Sequence, residues 1–160
     1  MDYSIAELVD VAGAPKRALI HWAETGVIKA DPVTDRAGSG VHRRFSRDEA
    51  IVACIINVLS AQKSSIGYLL RTSASIRMTL DDKVFGTDYR SWRFYYERAI
   101  KNDGKNLMLI ILGGEGPKRI VLQTDYEGAP QGYDRSIFYA IENAALASVV
   151  SLNVALRGLR

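Results

Sequence analysis

The stretch "YSIAELVDVAGAPKRALIHWAETG", Tyr3 to Gly26, constrains the fold more than any other, because its punctuation leaves room for little except two short helices. Ser4 stands three residues before Glu7, the capping-box spacing that satisfies exposed amide hydrogens at a helix start. Ile5, Leu8, Val9 and Ala12 then share one helical face. Gly13 supplies the left-handed residue that ends a helix, and Pro15 suits the first position of the next. That second helix, "PKRALIHWAETG", carries Leu19, Trp22 and Ala23 at helical spacing and stops at Gly26. Two short helices joined by a glycine turn follow the grammar of a helix-turn-helix.

The next segment reads as a hairpin. "VIKADPVTDRAGSG" is expected to be a short strand and a loop broken by Pro32, Gly38 and Gly40, with "VHRRF" as the return strand. Phe45 would anchor that strand, while alternation sends Arg43 and Arg44 to opposite faces. Ser46 and Glu49 have capping-box spacing and predict a helix from about Arg47 to Ala61. A further helix, about Ile66 to Met78, is expected to start from Ser64 or Ser65.

A boundary is expected near "TLDDKVFGTD", dividing the chain into residues 1–80 and 85–160. Beyond it "YRSWRFYYERAIKNDG" predicts an amphipathic helix that ends at Gly104, with Trp92, Tyr95, Tyr96 and Ile100 facing inward. "NLMLIIL" and "RIVLQT", separated by "GGEGPK", predict an antiparallel hairpin. In "ASVVSLNVALRGL", Val150, Leu152, Val154 and Leu156 alternate with Ser151, Asn153, Ala155 and Arg157, so a strand is expected. Leu146, Val149, Val150 and Asn153 also fit a helix, and that alternative stays open.

Composition narrows the function classes. Apolar residues at 48% are enough for a core, and a net charge of +3 is mildly basic, so any nucleic-acid footprint must come from local clustering. The single cysteine, Cys54, lies in an apolar run and cannot form an internal disulfide, which favours a reducing, cytoplasmic setting. The N-terminus lacks the pattern of a signal peptide, and the longest apolar runs are too short to span a bilayer, so no membrane association is expected. The two histidines exclude a histidine-rich metal site, and "GGEGPK" lacks the spacing and Ser/Thr of a phosphate loop. No nucleophile, base and orienting group stand together, so the chain is read as a non-enzyme without a cofactor.

A cationic hairpin beside a helix-turn-helix is a winged helix, and guanidinium forks suit phosphate oxygens. Here the chain resembles the MerR-type winged-helix family, over about Tyr3 to Met78. "YSIAELVDVAGAPKRALIHWAETGVI" follows that family's order of tyrosine, helix, glycine, recognition helix, glycine and aliphatic pair, and "GVHRRFS" is similar to its wing. The chain departs where the family carries an arginine, paired aromatics and an acid late in the recognition helix: Ile20, His21, Trp22 and Ala23 stand there. The second half lacks the family's long dimerising helix and the paired cysteines of its sensing members. The resemblance implies DNA binding and usually a dimer.

The expected fold is therefore α+β, a MerR-like winged helix-turn-helix followed by a small α+β domain that dimerises or senses and contains the antiparallel hairpin. Lys16 and Arg17, in the first turn of the recognition helix, are the candidates for base edges, with Ile20 next to them. His21, Tyr3, Arg36, Arg43 and Arg44 complete the candidate DNA-binding set. Trp22 and Cys54 are assigned to the core, and the aromatic group Trp92, Phe94, Tyr95 and Tyr96 to the core with a seam or pocket at its edge. The expected function is a nucleoid-associated transcriptional regulator that binds double-stranded DNA as a homodimer, with RNA polymerase or a small-molecule effector as further partners. Two alternatives stay open: an excisionase-like or architectural DNA-binding factor, and a protein-interaction module carrying a vestigial winged helix.

Overall fold

The computed structural model describes residues 2–35, 42–81, 92–102, 107–112, 119–124 and 147–160. Strand β1 (Asp2–Tyr3) leads into helices α1 (Ile5–Ala12), α2 (Lys16–Thr25) and the short α3 (Pro32–Asp35). Strand β2 (Phe45–Ser46) precedes two long helices, α4 (Arg47–Ala61) and α5 (Ile66–Leu80). Then follow helix α6 (Trp92–Lys101), strands β3 (Leu107–Leu112), β4 (Arg119–Thr124) and β5 (Ala147–Ser151), helix α7 (Leu152–Ala155) and a 3-10 turn, Arg157–Leu159. Helices with small antiparallel sheets make the fold α+β.

The caps fall where the serines are. Ser4 and Glu7 form a complete capping box on α1, with Ser4 N–H donating to Glu7 Oε2 at 2.7 Å and Glu7 N–H donating to Ser4 Oγ at 3.3 Å. Ser65 caps α5 through Tyr68 N–H. The second expected box is only half formed. Ser46 accepts from Glu49 N–H at 3.3 Å, but the Glu49 carboxylate is drawn away to Arg77.

Helix α4 is the centre of the packing. Ala50 to Ile56 are all buried, so this helix is apolar around its whole circumference, as a central helix must be. Helices α1, α5 and α7 and strand β5 all pack against it. Cys54 is buried there at 1% exposure, and burial pushes its thiol up to about 12. The first turn of α4 also holds α6. Arg47 makes a two-pronged pair with Glu97, both contacts at 3.0 Å, which raises the arginine above its ordinary range. Arg93 answers with Asp48 at 2.8 and 2.9 Å and donates to the Leu80 carbonyl. On α6, Tyr95, Tyr96 and Ile100 are buried as expected, and Ala99 with them; Trp92 packs at the core's edge. The expected end of that helix at Gly104 lies outside the described residues, and Asn102, with φ of 52°, follows its last residue.

The strands β3 and β4 pair antiparallel from Leu107↔Thr124 to Leu112↔Arg119, and β5 adds to the other side of β3. The loop "GGEGPK", most of the segment around the expected boundary, and Leu146 lie outside the described residues.

Two expectations are corrected. No strand forms at Val27 to Ala30 to pair with "VHRRF" among the described residues; β2 pairs instead with β1, Tyr3 opposite Phe45. Val27 and Ile28 are both fully buried, so the segment does not alternate. Its backbone is engaged by side chains, with the Val27 carbonyl accepting from Arg77 and Lys29 N–H donating to Glu49. Asp31 then turns the chain into α3 by accepting from Val33 N–H at 2.8 Å. The second correction concerns the last segment. It is a strand only to Ser151, where the pairing with Met108 ends. Asn153 Oδ1 accepts from Leu107 N–H at 2.8 Å, taking the place of a ladder partner. Leu152 and Leu156, four apart, are both buried while Val154 is 59% exposed, which fits a helical turn and not an extended strand.

Candidate nucleic-acid interface

Helix α2 has one buried and one open face. Leu19 and Trp22 enter the core, which leaves Lys16, Arg17, Ile20, His21 and Glu24 exposed. Pro15, Arg17, Ala18, Ile20, His21 and Glu24 line a shallow open depression. Pro15 caps the helix without a side-chain hydrogen bond, and its first turn holds two cations and no acid. Positive charge at that end opposes the helix dipole, so the local sequence is not chosen for helix stability. Lys16 and Arg17 have no ion-pair partner among the described residues.

Part-buried polar contacts hold the segments on either side of this helix. Before it, Gly13 sits at φ 64° and donates to the Val9 carbonyl, a geometry that a side chain would strain. Asn57 of α4 donates to the Ala12 carbonyl at 3.0 Å, and the Cys54 thiol points to the Val11 carbonyl at 3.6 Å. After it, Arg77 of α5 meets both oxygens of Glu49, at 2.5 and 2.9 Å, and donates to the Val27 carbonyl at 2.6 Å and Ser73 Oγ at 3.2 Å. Glu49 also accepts from Lys29 N–H at 2.8 Å. A buried ion pair is retained at little penalty only when its remaining hydrogen-bonding positions are filled, as they are here. Spacing assigned Glu49 to a cap and gave Arg77 no role. Only the fold brings these residues, 28 apart in sequence, together.

The second cationic group belongs to residues 42–44. The Arg44 backbone is stitched to the turn that enters α3: Asp31 N–H donates to its carbonyl at 2.7 Å, and its N–H donates to Thr34 Oγ1 at 3.0 Å. Residues 42–44 do not form the expected return strand, which is limited to Phe45–Ser46, yet Arg43 and Arg44 reach different carboxylates. Arg43 Nε lies 2.9 Å from Asp35 Oδ1, whereas Arg44 Nη1 lies 3.6 Å from Glu7 Oε2 on α1. Phe45 is fully buried and anchors the segment.

The candidate residues thus fall into two groups, Lys16, Arg17, Ile20 and His21 on α2, and Arg43 and Arg44 beside α3 and α1. Tyr3 joins neither as an exposed group, since it is 6% exposed and packs opposite Phe45. Arg36, Gly38 and Gly40 lie outside the described residues. Among the described residues, no cluster of His, Cys, Asp and Glu is placed to hold a metal ion, and no helix is long and apolar enough to cross a membrane. No protein-family model matches this chain, and no curated protein matches it.

Proposed function

We propose that this chain is a transcriptional regulator that binds double-stranded DNA through a MerR-like winged helix-turn-helix, as a homodimer on a palindromic site. The observation that carries the reading is the open face of α2. Lys16, Arg17, Ile20 and His21 stand there together on a helix whose two flanks are held by part-buried polar contacts. Lys16 and Arg17 enter the major groove with the first turn and read base edges, and Ile20 meets a thymine methyl. His21 and Arg43 contact phosphates, and Arg44 faces away toward α1. The second half supplies the dimer contacts or senses an effector. Two copies on inverted half-sites multiply the affinity that one winged helix lacks. RNA polymerase or a small molecule are the further partners this reading admits, in the cytoplasm at the nucleoid.

The test is a titration of a mixed-sequence duplex by the full chain across salt concentrations. Affinity should fall steeply with salt, and Arg43→Ala should weaken binding to all sequences alike while lowering the salt slope by about one contact. A slope that Arg43→Ala leaves unchanged contradicts the wing assignment.

A further inference from the structure

The two arginines of the 42–44 segment are held in different ways, and the difference assigns a role to Asp35. Arg44 approaches Glu7 with Nη1, the tip of its fork, at 3.6 Å. That carboxylate is already engaged by the Ser4 amide, so the pair is loose and the fork is turned onto α1. Arg43 is approached from behind. Asp35 Oδ1 lies 2.9 Å from Nε, the inner nitrogen, and neither Nη group has a partner among the described residues. A guanidinium held at Nε keeps its outer edge, with both Nη groups, open to a planar or tetrahedral anion.

Asp35 is itself fixed. It closes α3, its N–H donating to the Asp31 carbonyl at 2.9 Å, and Asp31 in turn holds the Arg44 backbone. The carboxylate and the backbone that carries Arg43 therefore belong to one hydrogen-bonded bracket. Arg43 is 37% exposed in its side chain and Asp35 48%, so the pair is solvent-screened and its own attraction is weak. What the contact supplies is direction, because it limits the rotamers of a long side chain that would otherwise lose that freedom on binding.

We propose that Asp35 is a positioning residue for DNA: it orients the Arg43 guanidinium so that the outer edge receives a backbone phosphate, with Asp35 and phosphate bound to opposite edges at once. The proposal rests on the DNA-binding reading above. It runs against the simpler expectation that a carboxylate beside a phosphate-binding arginine only competes with DNA.

Charge and geometry separate in two substitutions. Asp35→Asn keeps an oxygen for Nε and removes the negative charge, whereas Asp35→Ala removes both. In titrations of a labelled mixed-sequence duplex by the full chain, Asp35→Ala should bind about threefold to fivefold more weakly. Asp35→Asn should bind as well as the parent or more tightly. In an Arg43→Ala background Asp35→Ala should have no further effect, which a merely structural role would not produce. Tighter or unchanged binding by Asp35→Ala overturns the proposal in favour of competition, and a loss that persists without Arg43 overturns it in favour of a structural role. If Arg43→Ala itself changes neither affinity nor salt slope, the DNA interface falls and Asp35's role falls with it.

Discussion

Arg77 holds a position that no apolar residue could fill alone, because Glu49 is buried beside it and needs a counter-charge. Arg77→Ala should destabilise the protein by about 3–5 kcal/mol, since the carboxylate would be left buried and unpaired. Replacing both partners, Arg77→Met with Glu49→Leu, should recover much of that loss; denaturant unfolding of the three proteins measures it. Glu7 gives a weaker, pH-dependent test. The Ser4 amide first, then the Ser4 hydroxyl, hold its carboxyl below the ordinary carboxylate range, with Arg44 adding least. A depressed folded value means stabilisation that is present above the unfolded value and lost as pH falls through the folded one. Glu7→Gln should therefore lower Tm at neutral pH, and the gap to the parent should narrow as pH falls below the ordinary carboxylate range and close once it passes the lowered folded value. A gap that does not change with pH would show that the cap acts without its charge.

At the scale of elements, the terminal 3-10 turn bears on the helix pair. A Cβ on Gly158 would collide with the Val11 backbone carbonyl at the end of α1, and backbone cannot yield as a side-chain tip does. Gly158→Ala should destabilise by about 1–3 kcal/mol and should loosen the turn between α1 and α2. Hydrogen exchange at Gly13 and Lys16 would detect that loosening, and unchanged protection would contradict it. What was legible in the sequence follows the same scale. Helices α1, α2, α4, α5 and α6, the serines that start α1, α4 and α5, and the β3–β4 hairpin are legible in the sequence, because capping and periodicity act within a few residues. The strand expected at Val27 to Ala30 does not form because Val27 and Lys29 give their backbone groups to Arg77 and Glu49, contacts spanning 50 and 20 residues. The last segment misled because Val150, Leu152, Val154 and Leu156 satisfy alternation on paper, while Asn153 ends the ladder through Leu107. The face of α2 was readable from Leu19 and Trp22. The bracket around Arg43 was not, since nothing in "DPVTD" announces a helix that pairs with a distant arginine.

For the whole molecule, buried apolar residues from Tyr3 to Leu159 form one cluster, so α2 is positioned by both ends of the chain. The terminal turn packs on α1, and α7 and β5 pack on α4. Ser148 adds a buried hydrogen bond from Tyr68 at 3.1 Å, which ties β5 to α5. A rigid support of this kind is what base reading needs, because a misplaced helix loses bidentate geometry. The central claim is that α2 reads sequence, and selection from a random duplex pool tests it most directly. The full chain should enrich inverted half-sites, and Arg17→Ala should lower its preference for the selected site over random duplex about tenfold to hundredfold at one fixed salt concentration. A full chain that enriches no sequence, or an Arg17→Ala protein with the parent's preference ratio, would contradict the claim.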